Sequence, residues 1–217
     1  MNKMTSENSI LLEAVISIFT VEEGKLKILL KKRNTDPYKG YWELPNKLLE
    51  NKNTLEETIN DILNETIETS DIYIEQNHTF SSINRNPNER ILATSYIGLT
   101  NNKIKETEEE MKWFTINEIP KMAYDHKEII EQAQQLLKIK LVNTNILKQL
   151  FPSDFTLPEL QNIYESIMNT KLDRRNFRKK FMSLGIIEDT GYKNSCGSGR
   201  PAKLYKFKEN MKEINLF

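Results

Sequence analysis

The last third of the chain arranges its helix and turn signals in an order that few small folds accept. Thr156 precedes a helical run with Leu160, Ile163, Tyr164 and Ile167 on one face. Glu159, three residues after Thr156, completes the pattern of a capping box. Asp173 is placed to cap a second helix, Arg174 to Leu184, which Gly185 ends. Ile186-Ile187 follow, then a small polar loop, Gly191 to Pro201, and a short strand, Lys203 to Phe207. Helix, turn, basic helix and glycine-containing hairpin predict a winged helix-turn-helix.

The second helix carries the chemistry. Arg174, Arg175, Arg178 and Lys179 recur at spacings that gather cations on one face, while Phe177, Phe181 and Leu184 supply the opposite, core-facing side. A cationic helix face suits the major groove, where arginine reads guanine bidentately and pairs with phosphates; Asn176 is a candidate for an adenine contact. Gly199, Arg200 and Lys203 are the candidate contacts of the wing, with Arg200 at its tip beside the backbone or in the minor groove. The charge distribution agrees. The chain of 217 residues has zero net charge, yet residues 1–140 hold 18 Lys/Arg against 23 Asp/Glu, a net of −5, and residues 141–217 hold 13 against 8, a net of +5. A basic C-terminal part on an acidic body points to nucleic acid meeting the C-terminal part.

The first 140 residues follow a different pattern. Ile10 to Thr20 and Leu26 to Leu30 read as strands joined at Glu23-Gly24, and Lys31 to Tyr41 reads as a loop. Leu55 to Thr66 has helical spacing with Asn53-Thr54 as cap, Ile91 to Leu99 is a buried strand, and His126 to Lys140 is an amphipathic helix. Two domains are expected, residues 1–140 and 152–217, joined by a connector with a short helix at 141–151. No apolar run approaches the roughly 20 residues of a membrane span, the N-terminus lacks the apolar core of a signal peptide, and one cysteine, Cys196, excludes an internal disulfide. A cytoplasmic protein is expected.

Tyr41-Trp42-Glu43-Leu44-Pro45, following Lys31-Lys32-Arg33, resembles the entry to a Nudix domain, whose glutamates hold Mg²⁺ against a pyrophosphate. Laid on the Nudix signature, the chain departs at nearly every position. Lys47 stands for the first glycine, Asn53 for the first glutamate, Asp61-Ile62 for the arginine–glutamate pair, Thr66 for one of the paired glutamates and Glu68 for the last glycine; Glu65 alone is kept. Glu56 and Glu57 share its helix and read as solvated carboxylates. No catalytic residue, metal or cofactor is expected; an active hydrolase of nucleoside diphosphate derivatives is the alternative.

Both halves together resemble the Nudix-related transcriptional regulators. The resemblance runs through Asn84 to Ile91, Tyr124-Asp125-His126, Phe155 to Gln161, Leu172 to Lys179 and Gly199 to Tyr205, and covers residues 10–208. It implies an α+β chain, a Nudix-like α/β/α sandwich followed by a winged helix-turn-helix. It also implies a homodimeric repressor that binds double-stranded operator DNA and answers to an ADP-ribose-like nucleotide or a sugar such as arabinose. Candidate effector contacts are Arg33, Arg85 and Arg90 for phosphate or sugar oxygens, Tyr38, Trp42 and Phe80 for stacking, and Asp125 and His126 before the amphipathic helix.

Overall fold

The computed structural model describes residues 9–67, 72–101, 110–143, 146–151, 154–194 and 201–208. The chain opens with strands β1 (Leu11–Glu22) and β2 (Lys25–Lys32), then two short strands, β3 (Trp42–Glu43) and β4 (Asn46–Leu48). Helix α1 (Leu55–Thr66), β5 (Tyr73–Phe80), β6 (Ile91–Leu99), β7 (Met111–Thr115) and helix α2 (His126–Asn143) complete the N-terminal part. After a 3₁₀ turn at Ile146–Leu150 come helices α3 (Leu157–Met168) and α4 (Arg174–Leu184) and the hairpin β8 (Ile187–Asn194) and β9 (Ala202–Phe207).

Strands β1 to β7 form one mixed sheet in the order β3-β2-β1-β6-β5, with β4 also paired to β1 and β7 to β2. The hairpin expected at Glu23-Gly24 is present, with Glu22 opposite Lys25. Both turn residues take positive φ, +52° and +72°, as a two-residue turn matching the strand twist requires. Strand β1 runs parallel to β6 from Leu11↔Ile91 to Phe19↔Leu99. Its side chains alternate between two cores. Ala14, Ile16 and Ile18 pack with Ile59, Ile62 and Leu63 of α1. Val15 and Phe19 belong to the other core, with Ile129, Ile130, Ala133 and Leu137 of α2. A helix on each face of the sheet makes the α/β/α sandwich. Thr54 caps α1 in a full capping box with Glu57.

The stretch between the halves differs from a plain connector. Helix α2 continues to Asn143, and Leu141, Ile146, Leu147 and Leu150 are buried. They belong to one apolar cluster that reaches from Val15 and Phe19 to Phe155, Leu160, Phe181 and Phe207. Each such side chain contributes about 1.5–3 kcal/mol on full burial, so this segment fastens the two parts together. At a second contact the Leu26 backbone N–H of β2 donates to Ser166 Oγ of α3 at 2.7 Å.

The C-terminal elements follow the sequence closely. Thr156 and Glu159 form the capping box of α3, Asp173 caps α4, and Gly185 closes α4 at φ +65°. An isolated bridge, Phe155↔Tyr205, adds a third extended segment to the β8–β9 hairpin. The polar loop is shorter than expected. Strand β8 continues through Gly191 to Asn194, with an irregularity between Asp189 and Lys193 that Gly191 accommodates at φ +81°. The wing-tip candidates Gly199 and Arg200, the Cys196 position and the signature position Glu68 lie outside the described residues.

Candidate effector site and nucleic-acid interface

Arg85, Asp125 and His126 meet where β1, the loop before β6 and the start of α2 come together. Arg85 is buried, its side chain 3% exposed. Its Nε and Nη2 donate to Asp125 Oδ2 and Oδ1, both at 2.9 Å, and its Nη1 donates to Glu13 Oε2 at 3.1 Å. This is a bidentate arginine–carboxylate fork with a second carboxylate on its flank. Burial pushes the Glu13 carboxyl above its usual range against the pull of Arg85.

Arg33 stands nearby and is equally engaged. Its Nη1 donates to Glu43 Oε2 at 2.6 Å, its Nε to the Pro37 carbonyl at 2.9 Å and its Nη2 to Thr35 Oγ1 at 3.3 Å. The guanidinium also sits 4.9 Å from the centre of the Tyr124 ring. Tyr124 holds a positive φ of +50°, and Tyr38, at φ +68°, meets its ring edge-on at 5.0 Å. Such φ values in a bulky residue cost free energy and are kept only where neighbours fix them.

His126 is 1% exposed, with Nδ1 accepting the Leu44 backbone N–H at 3.0 Å. That bond places the ring proton on Nε2, which has no partner among the described residues. Burial, with Arg85 and Arg33 nearby, lowers its pKa to about 3, so the ring is neutral. The site thus presents three carboxylates, two guanidiniums and one unsatisfied neutral donor.

The remaining candidates are distributed otherwise. Arg90 donates to the Ser82 and Ser81 carbonyls at 2.9 and 3.0 Å, and among the described residues no carboxylate pairs with it. Phe80 is buried in the core with its ring edge-on to His78, and Trp42 packs edge-on against Phe114. Of the three aromatic candidates, Tyr38 is the accessible one, at 38%. Sequence reasoning missed Glu13 and Glu43, the partners of the two arginines. A lone glutamate inside the apolar run Leu11 to Ile18 was the available signal, because a buried charge demands a counter-charge.

On α4, Arg174, Arg175, Asn176, Arg178 and Lys179 are all exposed, and none of the four cations has an ion pair among the described residues. Behind them Phe177 and Phe181 are buried against Tyr164 of α3. Between α4, the start of α3 and the wing lies a cleft of about 510 Å³ whose lining includes Arg174, Arg178, Lys193 and Lys203. Lys193 was not foreseen. Lys203 is partly neutralised, 2.6 Å from Asp189. The turn between α3 and α4 is held by Glu165, also unforeseen. It accepts from Gln161 Nε2, Lys171 Nζ and the Leu172 N–H at 2.8–2.9 Å, and these bonds, led by that of Lys171, lower its pKa to about 2.

Residues 147–207, which include α3, α4 and the wing, match the NrtR DNA-binding winged helix domain. Across 200 residues the chain is 34% identical to the ADPR responsive transcriptional repressor NtrR of Acinetobacter baylyi, covering 88% of this chain and 80% of that protein. The chain belongs to the NrtR family. Its fold is that of Shewanella oneidensis NrtR, with a TM-score of 0.78 and 29% identity over 91% of this chain and 94% of that one. That protein has also been solved with a 27mer DNA, at a TM-score of 0.77 and 28% identity over 91% and 93%. Its NUDIX domain has been solved with ADP ribose, at a TM-score of 0.56 and 26% identity over 63% and 94%. A second curated relative is the ADP-ribose pyrophosphatase of Methanocaldococcus jannaschii, 28% identical over 123 residues, or 55% of this chain and 73% of that one.

The N-terminal domain of an NrtR protein is thus Nudix-like, and a Nudix helix implies a divalent metal. The residues here do not fit one. Ile62, which the sequence pattern sets at a signature glutamate position, is buried between α1 and the sheet. The Thr66 hydroxyl donates to the Ile62 carbonyl at 2.8 Å. Among the described residues no group of three or more His, Cys, Asp or Glu could hold a metal ion.

Proposed function

We propose that this chain is a transcriptional repressor that binds operator DNA through α4 and the wing and changes its grip when ADP-ribose occupies the N-terminal domain. The observation that carries the reading is the exposed face of α4, free of ion pairs among the described residues, beside the cationic cleft, in a chain like the Acinetobacter repressor over 88% of its length. Helix α4 lies in the major groove, with Arg174, Arg175, Asn176, Arg178 and Lys179 toward bases and phosphates, and Gly199, Arg200 and Lys203 act from the wing. The chain works as a cytoplasmic homodimer, because one recognition helix reads too little sequence to find a site in a genome.

ADP-ribose is favoured over a sugar such as arabinose because the Acinetobacter relative carries that response in its name and the Shewanella NUDIX domain was solved with that ligand. The effector contacts are Arg33, Tyr38, Trp42, Phe80, Arg85, Arg90, Asp125 and His126. Glu13, Glu43 and Asp125 suit ribose hydroxyls, which donate to carboxylates; Arg90, without a carboxylate, suits a phosphate oxygen. The altered Nudix signature makes the domain a sensor and not a hydrolase.

Quantitative mobility shift of an operator duplex tests the reading. ADP-ribose is expected to move the apparent Kd about 5–150-fold, the usual range of site-to-site coupling, and arabinose to leave it unchanged. Sequence-independent binding, or a Kd indifferent to ADP-ribose, rejects it. The Methanocaldococcus jannaschii pyrophosphatase relative favours one other reading, residual hydrolysis. Turnover of ADP-ribose with Mg²⁺ that disappears in Glu65→Gln would establish it.

A further inference from the structure

Lys47 lies on β4 opposite Ala14 of β1, on the face of the sheet that α1 covers. Its ammonium reaches the helix. Lys47 Nζ is 3.1 Å from Glu65 Oε1 and 3.4 Å from Asp61 Oδ2. Asp61 and Glu65 are four residues apart, so their carboxylates sit one turn from each other on one side of α1. Glu65 is the glutamate of the Nudix signature that this chain keeps. Lys47 replaces the signature's first glycine, a residue without a side chain.

We propose that the Lys47 ammonium is a built-in replacement for the divalent cation at the Nudix helix, so that this protein binds its effector without a metal ion. The effector clause rests on the reading that the N-terminal domain binds ADP-ribose; the claim about the cation does not. Three observations carry it. First, the two carboxylates are already bridged by one cation, and a divalent ion entering between them would be repelled by the ammonium. Second, Mg²⁺ requires six oxygens in near-octahedral array at about 2.1 Å. Ile62, between the two carboxylates in sequence, is turned into the core, so this side of α1 brings to such an ion the two carboxylates that the ammonium already holds, with water left to complete the shell. Third, the ammonium keeps its charge. The hydrogen bond to Glu65, with the one to Asp61, holds the lysine above its ordinary range. The arrangement is fixed in the chain itself and does not vary with the metal content of the medium.

The test is Mn²⁺ binding by the full chain, read as loss of the free-ion electron paramagnetic resonance signal. Wild type, Lys47→Met and Lys47→Met with Glu65→Gln are compared, each confirmed folded by its thermal transition. Wild type should leave the ion free at concentrations where Lys47→Met takes up one equivalent, and the double variant should return to wild-type behaviour. One equivalent of Mn²⁺ on wild type that Glu65→Gln removes would overturn the proposal, as would Lys47→Met binding no more than wild type. Calorimetry with ADP-ribose supplies the second arm. Equal Kd in EDTA and in Mg²⁺ is expected, and a tenfold or greater weakening in EDTA overturns the proposal. If ADP-ribose binds in neither buffer, the effector reading fails and the Mn²⁺ arm still decides the role of Lys47.

Discussion

Arg85 and Arg178 carry the same guanidinium into opposite surroundings. Arg85 is 3% exposed, forked to Asp125 and flanked by Glu13, whereas Arg178 stands exposed on α4 without an ion pair among the described residues. The contrast extends to their neighbours. In the N-terminal site three carboxylates enclose two guanidiniums; the C-terminal cleft is lined by Arg174, Arg178, Lys193 and Lys203, of which Lys203 pairs with Asp189. A buried charge is tolerated when its partners stand beside it, and an exposed one is free to take its partner from outside. The first arrangement builds a rigid site of fixed geometry. The second stores positive potential for a polyanion. Changing each arginine in turn separates the two roles.

The largest effect belongs to Arg85→Met. It removes the buried guanidinium and leaves the partly buried Glu13 and Asp125 without their counter-charge, and breaking such a pair costs about 3–5 kcal/mol. Urea denaturation should show that loss. Adding Glu13→Gln removes one stranded carboxylate and should recover part of it, a coupling that distant residues would not show. A loss below about 1 kcal/mol would mean that the fork is not what holds β1, the 81–90 loop and α2 in register.

Arg174→Ala and Arg178→Ala should behave in the opposite way. Each is expected to weaken specific operator binding by about 1–3 kcal/mol where it reads a base. Stability should stay within about 0.5 kcal/mol of wild type, since both side chains are exposed and neither has an ion pair among the described residues. Competition between operator and scrambled duplex measures the first quantity and thermal unfolding the second. Unchanged operator affinity in both variants would remove α4 from the DNA interface.

This same contrast explains how much was legible in the sequence. The α4 cations declared themselves because an exposed helical face needs only local spacing, and its caps, Asp173 and Gly185, are local too. The fold class, the first hairpin, the cap of α1 and the capping box of α3 were readable for the same reason. The partners of Arg85 were not, since Glu13 and Asp125 lie 72 and 40 residues away and meet it only through the sheet. The continuity of the apolar core through Leu141, Ile146 and Leu150 was hidden likewise. Short apolar spacings mark a buried face, but they do not say which neighbour buries it.

His126 gives a pH test of the buried half. Its imidazole has a pKa of about 3 in the fold, below the ordinary 6.5, so the unfolded chain binds the extra proton between these values. The contribution of His126 is therefore complete above pH 6.5 and is lost as pH falls through the window toward 3, by about 1.4 kcal/mol per unit. His126→Asn keeps an acceptor for the Leu44 N–H and removes the titration. Unfolding free energies between pH 7 and 5 should fall more steeply in wild type than in the variant. Parallel curves would mean that the ring takes up its proton in the fold as readily as in the unfolded chain, against its burial.

The smallest effect distinguishes free from compensated cations within the cleft itself. Lys193 and Lys203 both line it, but Lys203 is 2.6 Å from Asp189 while Lys193 has no ion pair among the described residues. If a DNA phosphate enters the cleft, Lys193 neutralises it directly, and the counterion released scales with such contacts. Lys193→Ala should then lower the slope of log K against log salt by about one, with affinity reduced alike on operator and non-operator duplexes. Asp189→Asn should act in the other direction, because it releases the Lys203 charge to the phosphate and removes a carboxylate from the edge of the cleft. Its slope should be at least as steep as that of wild type and its binding tighter at low salt. If both variants reproduce the wild-type slope, the cleft lies off the phosphate path, and the wing meets DNA on its other side.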